Sequence, residues 1–425
     1  MSKNVADSPS GLPPNSVAPP RFLGRALPST FTSLQHRNYR LLWLGTLISS
    51  SGDWMDMIAF NWLVYQITGS AVALGFINLC RLAPILVFTL VGGVIADRME
   101  RRRLLFVTQT VAMLLALLLA VLVSTNLIRF WMVVAIAIGR GVMMSFNQPA
   151  RQSLISDLVP PRDLMNAIAL NSATMNLTRV MGPAIGGALI ATVGVAGAFY
   201  FNAASFLAVL YGLALMQFPV HRQKATGSIS TDLFAGIRYL RAQPALRTLV
   251  LLALLPMVFG MPYMTMLTVF ASDVLKVGGG GLGLLAASAG LGATTGALFV
   301  ASSHRTQRGR FMLASLIAFG LALIVFAASH WLLLSFVALL AVGFSQQSYG
   351  ATNNTLIQTY VDEKYRGRVL STLFLNRGMV PLGTMLAGFG TDVIGVQAVV
   401  VGMATVLVVI ALLAARFATA ARELQ

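Results

Sequence analysis

Charge is scarce in this chain and acid scarcest of all: 13 Asp and Glu stand among 425 residues, against 30 Lys and Arg. A single cysteine, Cys80, excludes an internal disulfide and leaves the redox compartment unreadable. The histidines, His36, His221, His304 and His330, fall at span ends or in loops without metal-ligand spacing, so no metal is expected. No nucleophile elbow, zinc-protease pattern or ATP-binding loop occurs. Gly290, Gly292 and Gly296 mimic part of a phosphate loop, but no strand precedes them and the run is apolar, which suits small-residue helix packing instead. Neither enzyme activity nor a cofactor is therefore expected. The first residues also lack the apolar core of a signal peptide; Pro13, Pro14, Pro19, Pro20 and Pro28 among Ser and Gly predict a disordered tail.

What the chain does have is apolar length. Hydrophobic residues make up 57% and charged residues 10%, a balance far from that of a soluble domain. Stretches of the roughly 20 apolar residues that cross a bilayer recur at about 39–66, 71–96, 104–124, 130–148, 164–192, 196–218, 246–269, 282–301, 311–328, 332–350, 369–391 and 396–416. The expected fold is an all-α polytopic membrane protein of twelve transmembrane helices. Of the 30 basic residues, 24 gather in alternate breaks between these runs, whereas the other breaks hold only Arg129 and Lys276. By the positive-inside rule the crowded side is cytoplasmic, which puts both termini inside and the chain in the plasma or inner membrane as a multi-pass protein. The same one-sidedness accounts for the net charge of +17 without nucleic acid as a partner.

The pattern divides into a tail (1–38), a six-helix bundle (39–218), a central loop (219–245), a second six-helix bundle (246–417) and a short tail (418–425). The loop is expected to hold an amphipathic surface helix with Leu233, Ile237 and Leu240 on one face. A repeat supports two halves: Leu154-Ile155 through Val159 and Arg162 aligns with Leu356-Ile357 through Val361 and Lys364 at an offset of 202. Each copy precedes a span with Pro and Gly, Pro183 with Gly186 and Gly187 or Pro381 with Gly383 and Gly388. Paired six-helix bundles of this kind are the framework of alternating access.

Gly93-Val94-Ile95-Ala96-Asp97-Arg98-Met99-Glu100-Arg101-Arg102 closes the second span and opens the third. This turn resembles the signature of the major facilitator superfamily at Gly93, Asp97, Arg98, Arg101 and Arg102, and departs from it at Glu100, where the family has Gly. The resemblance implies a conformational latch in which Asp97 meets the start of the eleventh helix, here near Gly367 and Arg368. A carboxylate is favoured at a helix N-terminus. Likeness extends from Phe31 to Arg416 in helix count, central loop and repeat. Within the superfamily the chain is most similar to bacterial exporters resembling the enterobactin exporter, through Asn147-Gln148-Pro149-Ala150, Gly182-Pro183-Ala184-Ile185-Gly186-Gly187 and Arg366-Gly367-Arg368-Val369. The Gly182 to Gly187 run also resembles the fifth-helix antiporter signature, with Ala173 where an upstream Gly is expected. Read physically, Gly182, Pro183, Gly186 and Gly187 form a helix seam, and Arg179 just before them has either a helix-contact role or a cavity role.

Charges within spans are expensive and mark function or a fixed internal pair. Asp53 and Asp56 fall in the first span, Arg81 in the second, Arg140 in the fourth, Arg179 in the fifth and Arg377 in the eleventh. The family resemblance places the first, fourth, seventh and tenth helices around the cavity and matches Arg140 to a fourth-helix Arg, with Met144 where a Gly is usual. Asp53 and Arg140, at similar depth, are expected to pair and to exchange a proton for substrate. Asp56, Arg377, Gln346 and Gln347 complete the candidate cavity set. A softer lining is expected from Trp54, Trp62, Met257, Met261, Tyr263, Met264, Met266 and Tyr349. The reading is a secondary active transporter, a monomer in contact with membrane lipids. It couples to protons to expel a small amphiphilic or anionic molecule, siderophore-like or drug-like. Uptake or lipid flipping of an anionic substrate is the alternative, and a transport-inactive sensor or scaffold is a third.

Overall fold

The computed structural model describes residues 21–22, 25–26, 29–98, 100–216, 238–239, 243–303, 307–362, 365, 369 and 377–417. Apart from a two-residue antiparallel pairing of Arg21–Phe22 with Arg25–Ala26, the described elements are helical. They are α1 (Arg37–Thr68), α2 (Ala71–Arg98), α3 (Arg101–Ser124), α4 (Phe130–Leu158), α5 (Pro161–Leu215), α6 (Pro244–Val274), α7 (Gly278–Ser302), α8 (Arg308–Ala328), α9 (Leu332–Tyr360), α10 (Val380–Ile394) and α11 (Val396–Phe417).

Eight of the described helices are long and apolar enough to cross a bilayer. At 55 residues α5 is far too long for one crossing of a hydrocarbon core about 30 Å thick. It reverses at Gly194 (φ 75°, ψ 177°), a backbone setting that glycine adopts without strain, and so supplies two spans. α1 has the length to cross, 32 residues, but a polar interior side: Thr46, Ser49, Ser50, Asp56 and Asn61 are buried. With the shorter apolar stretches Ala71–Ile85 and Val380–Ile394 the count reaches the twelve spans of the expected fold, six before the central loop and six after it. Large apolar side chains such as Leu117, Leu118, Leu412 and Leu413 point outward, where lipid replaces water as their solvent.

α6 departs from regular geometry twice. π turns at Pro256–Gly260 and Phe270–Val274 close through Met261 N–H to Pro256 O (2.6 Å) and Leu275 N–H to Phe270 O (2.8 Å). Pro256 opens the first, where its ring and missing N–H are incompatible with a continued α ladder.

The halves meet along two helix pairs, α5 with α7 and α2 with α10. A Cβ on Gly187 would lie 2.6 Å from Gly283 Cα, and one on Gly388 would lie 2.6 Å from Ala71 O, so glycine sets both approaches. α1 starts and α11 ends on the face that carries Arg101, Arg102, Arg103, Arg308 and Arg310, called the basic face below. Within the expected tail, Ser29–Gln35 is a 3-10 segment docked on the start of α5. There Ser33 Oγ donates to Asp163 O (3.0 Å) and His36 Nε2 lies 2.8 Å from Asp163 Oδ2. Of the expected loop helix, Leu233, Ile237 and Leu240 lie outside the described residues.

Candidate functional site

Asp53 and Asp56 are one turn apart on α1 and share a face. Asp56 is buried and forms an ion pair with Arg140 Nη1 of α4; the two side chains are 8% and 14% exposed. The Arg140 guanidinium also lies 5.5 Å from the centre of the Phe60 ring. Asp56 Oδ1 and Arg140 Nη2 are buried without a hydrogen-bond partner, so the pair is held through one contact and keeps unused bonding capacity.

This corrects the expected Asp53–Arg140 pair. α1 runs away from the basic face and α4 runs towards it. At 1.5 Å per residue, Arg140 lies about 15 Å and Asp56 about 18 Å from the ends of their helices on the opposite face, while Asp53 lies about 4.5 Å deeper. Arg140 therefore meets the nearer acid.

Asp53 is exposed instead, and no hydrogen bond joins it to another described residue. The charged side chains near enough to act on it are Asp56, Arg81, Arg140 and Arg151. Arg151 was missed by the sequence reading, which stops the fourth span at Gln148 and counts this arginine among the orienting loop charges. α4 continues to Leu158 and keeps Arg151 on the helix. The available signal was spacing: 11 residues is about three helical turns, which returns Arg151 to the face of Arg140. Arg81 and Arg151 are both half-buried.

A second group joins the halves at mid-depth. Arg179 of α5 donates from Nη2 to Gln346 Oε1 of α9 (3.3 Å), and its guanidinium lies 6.0 Å from the Trp54 ring centre. Gln346 Nε2 in turn contacts Met261 Sδ of α6. Arg179 thus does more than mark the seam, and sequence spacing has no means of placing it against Gln346, 167 positions away. Gln347 is half-buried. Tyr263, Ser348, Tyr349 and Asn353 each bury a side-chain oxygen without a partner. Among the expected soft lining, Tyr263, Met266 and Tyr349 are buried, and Trp54, Trp62, Met257, Met261 and Met264 are half-buried. The backbone of Arg377 opens a 3-10 turn before α10; its side chain lies outside the described set.

Gly182 and Gly186 let α5 approach α1, where added Cβ atoms would fall 2.4 Å from Trp54 Cβ and 2.9 Å from Met55 Cγ. Pro183 lies between them, buried. Gly187 is turned to α7 in the other half. In the expected latch, the side chains of Asp97 and Arg98 and the residues Gly367 and Arg368 lie outside the described set, and Gly93 is described only as backbone of α2. Arg101 pairs with Asp157 of α4, and Arg102 donates to Leu213 O (2.7 Å) and Ala214 O (2.9 Å), the free carbonyls at the end of α5. Both arginines thus tie helices of the first half together.

Residues 28–424 match the family model described as transmembrane secretion effector, of the major facilitator type. The staphyloferrin A transporter of Staphylococcus aureus is 30% identical over 351 residues, covering 81% of this chain and 87% of that protein. The multidrug efflux pump Tap of Mycolicibacterium fortuitum is 28% identical over 84% of this chain and 90% of its own length. The enterobactin exporter EntS of Shigella flexneri is 28% identical over 79% and 80%. A bacterial homologue of the lysosomal transporter Spinster, solved inward-facing and unoccupied, superposes with a TM-score of 0.71 at 18% identity, covering 92% of this chain and 98% of that one. Helix order, paired halves and these matches together assign the chain to the transmembrane secretion effector family of the major facilitator superfamily, as a multi-pass membrane transporter of small molecules and not an enzyme.

Proposed function

We propose that this transporter is a proton-coupled exporter of small amphiphilic molecules that carry an anionic group, with Asp53 as the coupling carboxylate. The observation that carries the reading is the contrast between two acids one turn apart: Asp56 is spent on Arg140, whereas Asp53 is exposed and has no hydrogen-bond partner among the described residues. Exchange of a proton for substrate requires that the two compete for one group. A substrate placing a hydroxyl, amide or ammonium donor on ionised Asp53, and its anionic group near Arg151 and Arg81, meets that requirement. Protonation of Asp53 removes its charge, weakens that contact and so releases the substrate. Relatives named for a siderophore and for multidrug efflux support the substrate class and the outward direction.

On this reading the basic face is cytoplasmic, both termini lie inside, and the chain acts as a monomer in the inner membrane. Gly93, Asp97 and Arg98 retain the proposed latch role, and Gln346 and Gln347 the role of neutral cavity contacts. The test is proton movement in liposomes holding the purified protein, driven by a panel of carboxylate siderophores and amphiphilic dyes. The wild type is expected to move protons with at least one of them and Asp53→Asn with none. Equal movement in the variant removes Asp53 from the mechanism.

A further inference from the structure

The short turn between α1 and α2 lies on the face opposite the basic loops. Gly69 ends α1 in a left-handed setting (φ 60°), its N–H returning to Tyr65 O at 2.8 Å. Two of the hydroxyls at this turn reach the other half, Tyr65 from the last turn of α1 and Ser70 from the turn itself, while Thr68 donates back to Val64 O. Tyr65 Oη donates to Asp273 Oδ2 of α6 (2.6 Å) and Ser70 Oγ donates to Asp392 Oδ2 of α10 (2.8 Å). Asp392 also accepts the Ala71 N–H on Oδ1 (3.0 Å) and receives the Val72 N–H on Oδ2 (3.5 Å). It therefore caps the N-terminus of α2 from the opposite half of the molecule.

Both acids stand where their own helices disfavour them. Asp273 falls in the final π turn of α6 and Asp392 two residues before the end of α10. A carboxylate in a last turn meets the negative end of the helix dipole, whereas at a first turn it meets the positive end. Neither acid serves its own helix, and each is matched by a donor across the halves. The helices also touch here, since a Cβ on Gly75 would lie 3.0 Å from Thr384 O.

We propose that Asp273 and Asp392 are positioning residues of the transport cycle, forming with Tyr65, Ser70 and the start of α2 a latch that holds this face shut and must break before it opens. The Asp392 contact is the stronger arm because three donors converge on one carboxylate. The Tyr65 contact, a single hydrogen bond, is the weaker. An acid misplaced on its own helix costs little to remove locally, so loss of either should shift the open-to-closed ratio more than it changes unfolding.

Pulsed electron–electron distance measurements test this on the full chain in lipid nanodiscs with no substrate added. Spin labels go on Leu127→Cys and Leu333→Cys, exposed positions at this face in the two halves, with Cys80→Ser as background. Asp392→Ala is expected to raise the ratio of long to short distances about fivefold or more, and Tyr65→Phe about twofold, as the loss of charge-assisted and single contacts implies. Ser70→Ala should add less in the Asp392→Ala background than alone, because the two share one contact. Distance distributions of Asp392→Ala and Tyr65→Phe that match the parent overturn the latch. Should Asp392→Ala fail to fold, Tyr65→Phe, which removes one oxygen, decides the matter by itself. With no substrate present, the outcome is independent of proton coupling at Asp53.

Discussion

The two halves of this transporter share an architecture and differ in what their interiors are made of. Within its spans the first half carries ionisable side chains: the Asp56–Arg140 pair, exposed Asp53 and half-buried Arg81 at mid-depth, with half-buried Arg151 about three turns nearer the basic face. Among the second-half residues whose side chains are described, Tyr263, Gln346, Ser348, Tyr349 and Asn353 are neutral and interleave with Met261, Met264 and Met266, while the side chain of Arg377 in the eleventh span lies outside that set. A charge in a low-dielectric interior demands a fixed partner, whereas hydroxyls, amides and thioethers tolerate several arrangements. Under the proposed function, that difference would give proton coupling to the first half and accommodation of varied cargo to the second.

The comparison can be broken most forcefully at Asp56. Asp56→Ala strands Arg140 and is expected to cost about 3–5 kcal/mol, read from thermal or denaturant unfolding in detergent. Replacing both partners by apolar residues, Asp56→Leu with Arg140→Met, should restore most of that loss. A smaller effect is expected in the second half, where packing is set by backbone contact. A Cβ on Gly343 would fall 1.9 Å from Ala289 O, so Gly343→Ala should destabilise by about 1–3 kcal/mol in the same assay. Tyr349→Phe has the opposite sign. Its hydroxyl is buried without a partner, and deleting it should stabilise by up to about 1 kcal/mol; a loss of stability instead would mean that the hydroxyl is paired in the membrane. The smallest stability change belongs to Asp53→Asn, within about 0.5 kcal/mol because the group is exposed, while substrate-driven proton movement disappears.

Much of the fold was legible because a bilayer leaves a chain few choices: apolar runs give the spans, and one-sided arginines give their alternation. The site was less so. Arg140 stood out as a charge in an apolar span, but its partner depended on depth along two antiparallel helices, which put Asp56 ahead of Asp53. Arg151 was hidden by its neighbours, since a basic residue near polar ones counts as loop until the helix is seen to continue. Asp273 and Asp392 were passed over for the same reason. Their significance is a contact between positions 208 and 322 residues apart, which no local pattern encodes.

One irregularity of α6 extends this division of labour. The segment bearing Tyr263, Met264 and Met266 is bounded on both sides by π turns. A π turn stores one extra residue, and passing it from one end of the segment to the other turns everything between by about 100° without unravelling the helix. The segment is thus set off from the regular ladder on both sides, so the edge on which Tyr263, Met264 and Met266 stand is set by two π turns and not by the pitch of α6 as a whole.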